Sequence, residues 1–367
     1  MTDAPVSHAS PTYLDANATE PLRPAAQAAA LAGLQLRGNP SSVHAEGREA
    51  RRLLEEARNG ISAGLGRISG ACVFTSGATE ADAMAVHAFG RNRRIFVGAT
   101  EHDAILKAAP EAEILPVSPD GVLDVETLRR RLKESGPTLV CVMSANNETG
   151  VLAPLDDVAE VCRDSGSHLH VDAVQSAGRQ PFTLQDCSVA ISGHKMGGPK
   201  GAGALLLPRD EPMDALIPGG GQERGRRGGT QPLPAILGMA AAFDEARKQD
   251  WRPIEALREQ VEQVAIAAGA RVAGRNALRL PNTSCLILDG VAAQVQLMTL
   301  DLAGFCVSAG SACSSGKVSA SHVLTAMGET AGARQAIRVS LPWNIREEEV
   351  EAFCEAYAMM AGRLGKN

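Results

Sequence analysis

TLVCVMSA (138–145) and HLHVDAV (168–174) decide the fold. Each is a short apolar run closed by small or polar residues. Between them Asp156–Ser165, opening after Pro154, carries helical spacing. A near-continuous apolar strand reads as buried on both faces, the mark of a parallel sheet held between helices. The same alternation runs outward. ACVFTSG (71–77), RRIFVGA (93–99) and GALLLP (203–208) read as further strands, and Ala78–Phe89 and Val125–Ser135 as helices. The chain is therefore predicted to be α/β. Ligands of such sheets bind beyond the carboxyl ends of the strands, so the polar residues that follow each strand are the ones to inspect.

Further along, a helix around Pro234–Gln249 leads to a helix at Ile254–Ala268. Strands at SCLILDG (284–290), CVSAG (306–310) and AIRVSLP (336–342) follow, then a last helix at Glu347–Leu364. At 367 residues the chain exceeds one compact domain. The expected division is a large domain over 15–250 and a smaller one built from 1–14 and 251–367.

Composition narrows the function classes. Apolar residues make up 44% and aromatics only 3%, so the core must be built mostly from Ala, Val, Leu and Ile. A net charge of −6 gives no electrostatic reason to expect a nucleic acid. The basic runs Arg91–Arg94 and Arg129–Lys133 read as solvated faces. Met1–Ser10 lacks the apolar centre of a signal peptide, and no segment approaches the ~20 apolar residues of a membrane helix. A soluble, cytoplasmic protein is expected. The eight cysteines are scattered without a C-x-x-C pair, so neither a metal site nor a disulfide framework is indicated. Most read as buried small hydrophobes. Cys313, in SAGSACSSGK (308–317), lies in a run too small and polar to pack.

The chemistry concentrates in SGHKMGGPKG (192–201). Lysine is scarce, seven against 29 arginines, yet Lys195 and Lys200 both fall here. A buried lysine is costly unless it loses its charge or finds a partner. An imine with an aldehyde cofactor does the first and uses the amine chemically. A carboxylate one strand away can hold a pyridine nitrogen protonated and make the ring an electron sink. Asp172, after its apolar strand, fits that role, although alone it also reads as a helix cap or turn residue. Thr75-Ser-Gly-Ala-Thr79-Glu lies where a strand becomes a helix, and its N–H groups and hydroxyls can cradle a phosphate.

These residues resemble the cysteine desulfurases, class-V aminotransferase-like enzymes that use pyridoxal 5′-phosphate on the aspartate aminotransferase fold. The resemblance rests on YLDANAT (13–19), GNPSSVHAEG (38–47), FTSGATEAD (74–82), TEHDAIL (100–106), NNETG (146–150), HVDAVQSAG (170–178), SGHKMGGPKG (192–201), ERGRRGGT (223–230), SAGSACSSG (308–316) and AIRVSL (336–341). It implies a fold-type I enzyme, with a mostly parallel seven-stranded sheet in the large domain and a smaller α/β domain carrying the cysteine loop.

Carried over residue by residue, the resemblance implies that Lys195 binds the cofactor as a Schiff base and Asp172 pairs with its ring nitrogen. Gln175 and Asn147 would contact the ring hydroxyl, with Asn147 also near the substrate carboxylate. His102 would stack on the ring and relay protons. Ala78, Thr79, Ser192 and His194 would hold the phosphate, and Thr230 would reach it from the other subunit of a homodimer. Arg338 would grip the substrate carboxylate, and Cys313 would take the sulfur. The implied reaction turns L-cysteine into L-alanine and a protein persulfide, which passes to an iron–sulfur scaffold or a thiolation carrier. No metal is implied. A selenocysteine lyase or another β-lyase on the same fold is the alternative, and a non-catalytic relative is a third reading that Lys195, Asp172 and Cys313 oppose. Without the resemblance, His102 also reads as a loop histidine, Thr230 as a helix cap and Cys313 as an idle thiol.

The sequence departs from the family pattern at Ala83, where asparagine is common, and at Gly197, where an aromatic is common. Lys317-Val318-Ser319-Ala320 stands where S-L-E-P is common, and the stretch after the last helix is short. The last two bear on which acceptor the sulfur reaches.

Overall fold

The computed structural model describes residues 11–181, 184–210, 212–310 and 319–365. A seven-stranded sheet is formed by β1 (Cys72–Thr75), β2 (Arg94–Gly98), β3 (Glu113–Leu115), β4 (Thr138–Met143), β5 (His168–Asp172), β6 (Cys187–Ser192) and β7 (Gly203–Leu206). Their spatial order is β1-β7-β6-β5-β4-β2-β3. All neighbours run parallel except those of β7, which is antiparallel to both β1 and β6.

The period of two along each strand feeds both faces. Val140, Val142, Leu169, Val171, Val189 and Ile191 pack on one side with Leu54 and Ile61 of the helix Ala45–Gly64, Val158 and Val161 of Leu155–Asp164, and Ile236 and Met239 of Leu233–Ala246. On the other side Val73, Ala190 and Leu205 meet Ala81, Met84 and Ala85 of the helix Ala78–Phe89. The result is a three-layer arrangement. The Val125–Ser135 helix has its predicted bounds, and Asp124 caps it by accepting from the Thr127 N–H at 3.0 Å.

A second, three-stranded antiparallel sheet contains β8 (Arg271–Val272), β9 (Thr283–Ile287) and β10 (Ala336–Ser340), with β9 central. Its own apolar core joins Leu286, Ile337 and Val339 to Ile254 and Val261 of the helix Arg252–Ala267 and to Val350, Phe353 and Tyr357 of the helix Glu347–Leu364. Leu14 also belongs to this cluster. Thr12–Tyr13 pairs in parallel with Phe305–Cys306, and Asp15 bridges to Ser340. The chain is thereby stitched to the smaller sheet just before it crosses to the large one.

Two expectations shift. CVSAG was expected as a full strand, but pairing stops at Cys306 apart from one bridge between Ser308 and Arg338. Ser308-Ala-Gly310 offers little side chain to pack, which weakens a strand. Two strands carry too weak a local pattern to stand out in the sequence: β3, a three-residue edge strand with one exposed position, and β6, whose serines dilute its apolar signal.

Candidate active site

At the carboxyl ends of β4, β5 and β6 the structure opens a cavity of about 650 Å³. β6 ends at Ser192, and a tight 3₁₀ turn, Gly193–Lys195, swings Lys195 into it. The Lys195 Nζ donates to the Asn17 carbonyl at 2.6 Å. Burial, reinforced by Arg338 and Arg179, lowers this amine to about 8. A neutral amine, the nucleophilic form, is thus accessible near neutral pH.

Asp172 ends β5 and lines the same cavity. Its Oδ1 accepts from the Val174 N–H at 2.9 Å. Burial and then Asp82 push its carboxyl up to about 7, against the pull of that hydrogen bond, His102 and His170. Behind it the His170 Nε2 lies 3.1 Å from the Asp82 Oδ1, and the His170 Nδ1 lies 2.9 Å from the Ser188 Oγ. Burial drives Asp82 up to about 8 and His170 down to about 4. Both acids are thus held toward the protonated form, and a cation beside Asp172 would draw its carboxyl back to the ionised one.

The helix Ala78–Phe89 begins at the rim with Gly77 as its cap residue and no side-chain cap. Its first-turn N–H groups, from Ala78 and Thr79, therefore face the cavity without an internal partner. β7 comes very close: a Cβ on Gly203 would lie 2.6 Å from the Gly77 Cα, so only glycine fits. The Ser192 Oγ and His194 Nδ1 are 3.0 Å apart beside this helix end. Burial and the charges of Lys195 and Lys200 hold His194 down to about 4.

His102 stands at the exposed rim, where its Nδ1 accepts from the Ala104 N–H at 3.1 Å as a helix cap. Surrounding protein lowers its pKa below the ordinary histidine range. The Gln175 amide is partly committed, donating to the Asn17 carbonyl at 3.0 Å and accepting from Arg179 at 2.8 Å. Asn147 and Arg338 meet where the Arg338 Nη1 donates to the Asn147 carbonyl at 3.1 Å. Thr230 is exposed and is not among the residues lining this cavity. Cys313 lies outside the described residues. On either side of that segment in sequence, the Ser321 Oγ donates to the Glu148 Oε2 at 2.5 Å, and a Cβ on Gly310 would lie 1.9 Å from that same oxygen. One buried carboxylate thus lies against both Gly310 and Ser321.

The family described as aminotransferase class-V matches residues 12–353. A cysteine desulfurase of Cereibacter sphaeroides is 39% identical over 96% of both chains. An IscS-like cysteine desulfurase of Mycobacterium tuberculosis is 36% identical over 94% of both. Among solved structures, a NifS-like protein from Rickettsia africae superposes with a TM-score of 0.87 at 32% identity, covering 95% of this chain and 99% of its own. The chain belongs to the cysteine desulfurases.

As a class-V, fold-type I member of that family its cofactor is pyridoxal phosphate. The cavity fits the group on three counts. An uncapped helix end with two nearby side-chain donors suits the phosphate, a depressed lysine amine suits the aldehyde, and a buried carboxylate under like-charge pressure suits a pyridinium. This desulfurase departs from the pattern at Gly197 for a local reason. The residue has φ +87°, and a Cβ there would lie 2.6 Å from the Arg23 Cγ and 3.0 Å from the Pro21 carbonyl oxygen. Asp15, Asn17 and Asp82, to which the sequence attaches no role, also line the cavity. The only signal was the presence of Asp15 and Asn17 in YLDANAT and of Asp82 in FTSGATEAD.

Proposed function

We propose that this desulfurase converts L-cysteine to L-alanine and carries the sulfur away as a persulfide on Cys313. The observation that carries the reading is the convergence of Lys195, Asp172 and Arg338 on one cavity. Lys195 would anchor the cofactor and, once released by substrate, take the Cα proton with an amine already lowered to about 8. Pyridoxal phosphate, when bound, supplies an electron sink that acidifies that proton. Asp172 would hold the ring nitrogen protonated by charge attraction. Gln175 and Asn147 would face the ring hydroxyl and His102 its open face, while Ala78, Thr79, Ser192 and His194 would hold the phosphate. Arg338 would orient the substrate through its carboxylate.

The Cys313 thiolate would then attack the substrate sulfur. An S–S bond forms as Cβ–S breaks, the electron pair returns to the carbon skeleton, and protonation yields alanine. Sulfur is oxidised to the sulfane level while carbon is reduced, so no outside oxidant is needed.

A homodimer is proposed because Thr230 is exposed beyond its own cavity, on a segment tied down by the Arg227–Glu80 ion pair at 2.7 Å. Such a position suits a partner's phosphate site. The sulfur acceptor is proposed to be a protein, either an iron–sulfur scaffold or a thiolation carrier. The separate apolar cores support the division into 15–250 and 1–14 with 251–367. A cytoplasmic location is supported by seven free cysteines among the described residues, which suit a reducing compartment. Among those residues no helix is long and apolar enough to cross a membrane. The test is to supply L-cysteine with a reductant and measure sulfide and alanine together. Equal amounts support the reading, and absence of alanine rejects it.

A further inference from the structure

Inside the cavity the Arg338 Nη2 donates to the Asp15 Oδ1 at 2.6 Å. Both residues line the space a substrate must enter. Of the other guanidinium nitrogens, Nη1 is used by the Asn147 carbonyl, and the buried Nε has no partner. Arg338 is only 5% exposed. Neither residue is free to withdraw by a backbone shift. Arg338 exchanges two backbone hydrogen bonds with Ser308, at 2.6 and 3.1 Å, and Asp15 bridges to Ser340 on the same strand.

We propose that Asp15 is a specificity-determining residue, an internal carboxylate that holds the substrate's place on Arg338 and competes with it. This rests on the reading of Arg338 as the group that binds the substrate carboxylate. A buried guanidinium without a counter-charge is strongly unfavourable. Asp15 supplies that counter-charge while the site waits. A substrate carboxylate binds an arginine best through two parallel N–H groups. The unpartnered Nε is buried, and its neighbour Nη2 is the nitrogen Asp15 occupies. An arriving carboxylate must therefore displace Asp15 from Nη2 or share it at close range, and either outcome sets two anions against one cation. Uncharged ligands escape that penalty. Asp15 thus weakens anionic ligands selectively, and only those with further contacts to offer, such as a reactive amine and a thiol, stay bound.

The test compares 3-mercaptopropionate with 3-mercaptopropionamide, which differ in charge and lack the amine that reacts with the cofactor. Calorimetry on the cofactor-loaded enzyme gives both affinities for wild type, Asp15→Asn, Asp15→Ser and Arg338→Lys. Asp15→Asn should bind the carboxylate about tenfold tighter, from loss of a like charge in a partly buried site, with the amide unchanged. The KM for L-cysteine should fall without a parallel rise in kcat, and Asp15→Glu should return both toward wild type. Asp15→Ser, smaller and uncharged, carries the same expectation if the amide variant folds poorly. A folded, cofactor-loaded Asp15→Asn that binds the carboxylate no more tightly overturns the proposal. Arg338→Lys should lose the preference between the two probes. Loss of that preference with no effect of Asp15→Asn removes this inference alone, whereas an unchanged preference in Arg338→Lys removes the assignment of Arg338 as well.

Discussion

The Lys195 amine and the Asn17 backbone carbonyl, 178 residues apart in sequence, are joined by a 2.6 Å hydrogen bond. The acceptor is a peptide dipole rather than a carboxylate, so it orients the amine without holding its charge as an ion pair would. That is the arrangement a nucleophilic lysine needs. Lys195→Ala should therefore fold and melt near the wild-type temperature, yet lose both the visible absorption of lysine-bound cofactor and all turnover. Desulfuration at the wild-type rate in this variant would falsify the assignment.

Given the proposed pairing of its carboxylate with the ring nitrogen, Asp172→Ala should retain cofactor but slow removal of the Cα proton by about a hundredfold or more. Solvent exchange of the substrate Cα hydrogen, followed by NMR, reads this step separately from sulfur transfer. Exchange at the wild-type rate would make Asp172 a structural residue.

Asp82 gives a pH signature. Its folded-state value, about 8, lies above the ordinary aspartate value of ~3.9, so the folded protein binds this proton more tightly than the unfolded chain. The associated stability is complete below ~3.9 and is lost as pH rises toward about 8, with a slope of up to ~1.4 kcal/mol per pH unit. His170, lowered to about 4, works the other way: its contribution is lost as pH falls below ~6.5. Asp82→Asn cannot ionise and should flatten the decline between pH 6 and 8 in urea unfolding, leaving the acid limb in place. An unchanged slope would mean Asp82 is already ionised in the folded state.

The legibility of this chain was uneven, and the unevenness has physical causes. Strands β4 and β5 and the Ala78–Phe89 and Val125–Ser135 helices declare themselves through local periodicity, the last also through its Asp124 cap. The places of Lys195, Asp172 and the turn before Ala78 at the cavity follow because an α/β sheet gathers the residues that close its strands at one edge. Asp15 and Asn17 escape that logic. They lie on an irregular segment placed by pairing with Ser340 and by the Asn17 Nδ2 bond to the Thr283 hydroxyl, partners hundreds of residues away. The Asp82–His170–Ser188 chain was hidden for a similar reason, since three separate elements bring it together.

Thr230 can be tested in mixed dimers. Combining Thr230→Ala with Lys195→Ala subunits should create one site with both Lys195 and a Thr230 supplied across the interface. Cofactor affinity at that site should match wild type. If it matches the Thr230→Ala homodimer instead, the threonine acts within its own subunit.

Cys313→Ala should still bind cofactor and L-cysteine but release almost no sulfide, because a thiolate must accept the sulfur. Wild type without reductant should accumulate one extra sulfur atom on the peptide containing Cys313, read by mass spectrometry. A selenocysteine lyase would show weak L-cysteine turnover and survive the substitution with its selenium substrate.

The contact of Glu148 with both Gly310 and Ser321 bears on how this enzyme can change over time. A side chain at Gly310 would strike the Glu148 carboxylate, and loss of that carboxylate would take away the acceptor of the Ser321 hydroxyl. Glycine at 310, the carboxylate at 148 and the hydroxyl at 321 are therefore bound to change together or not at all, although 162 residues separate the first two in sequence.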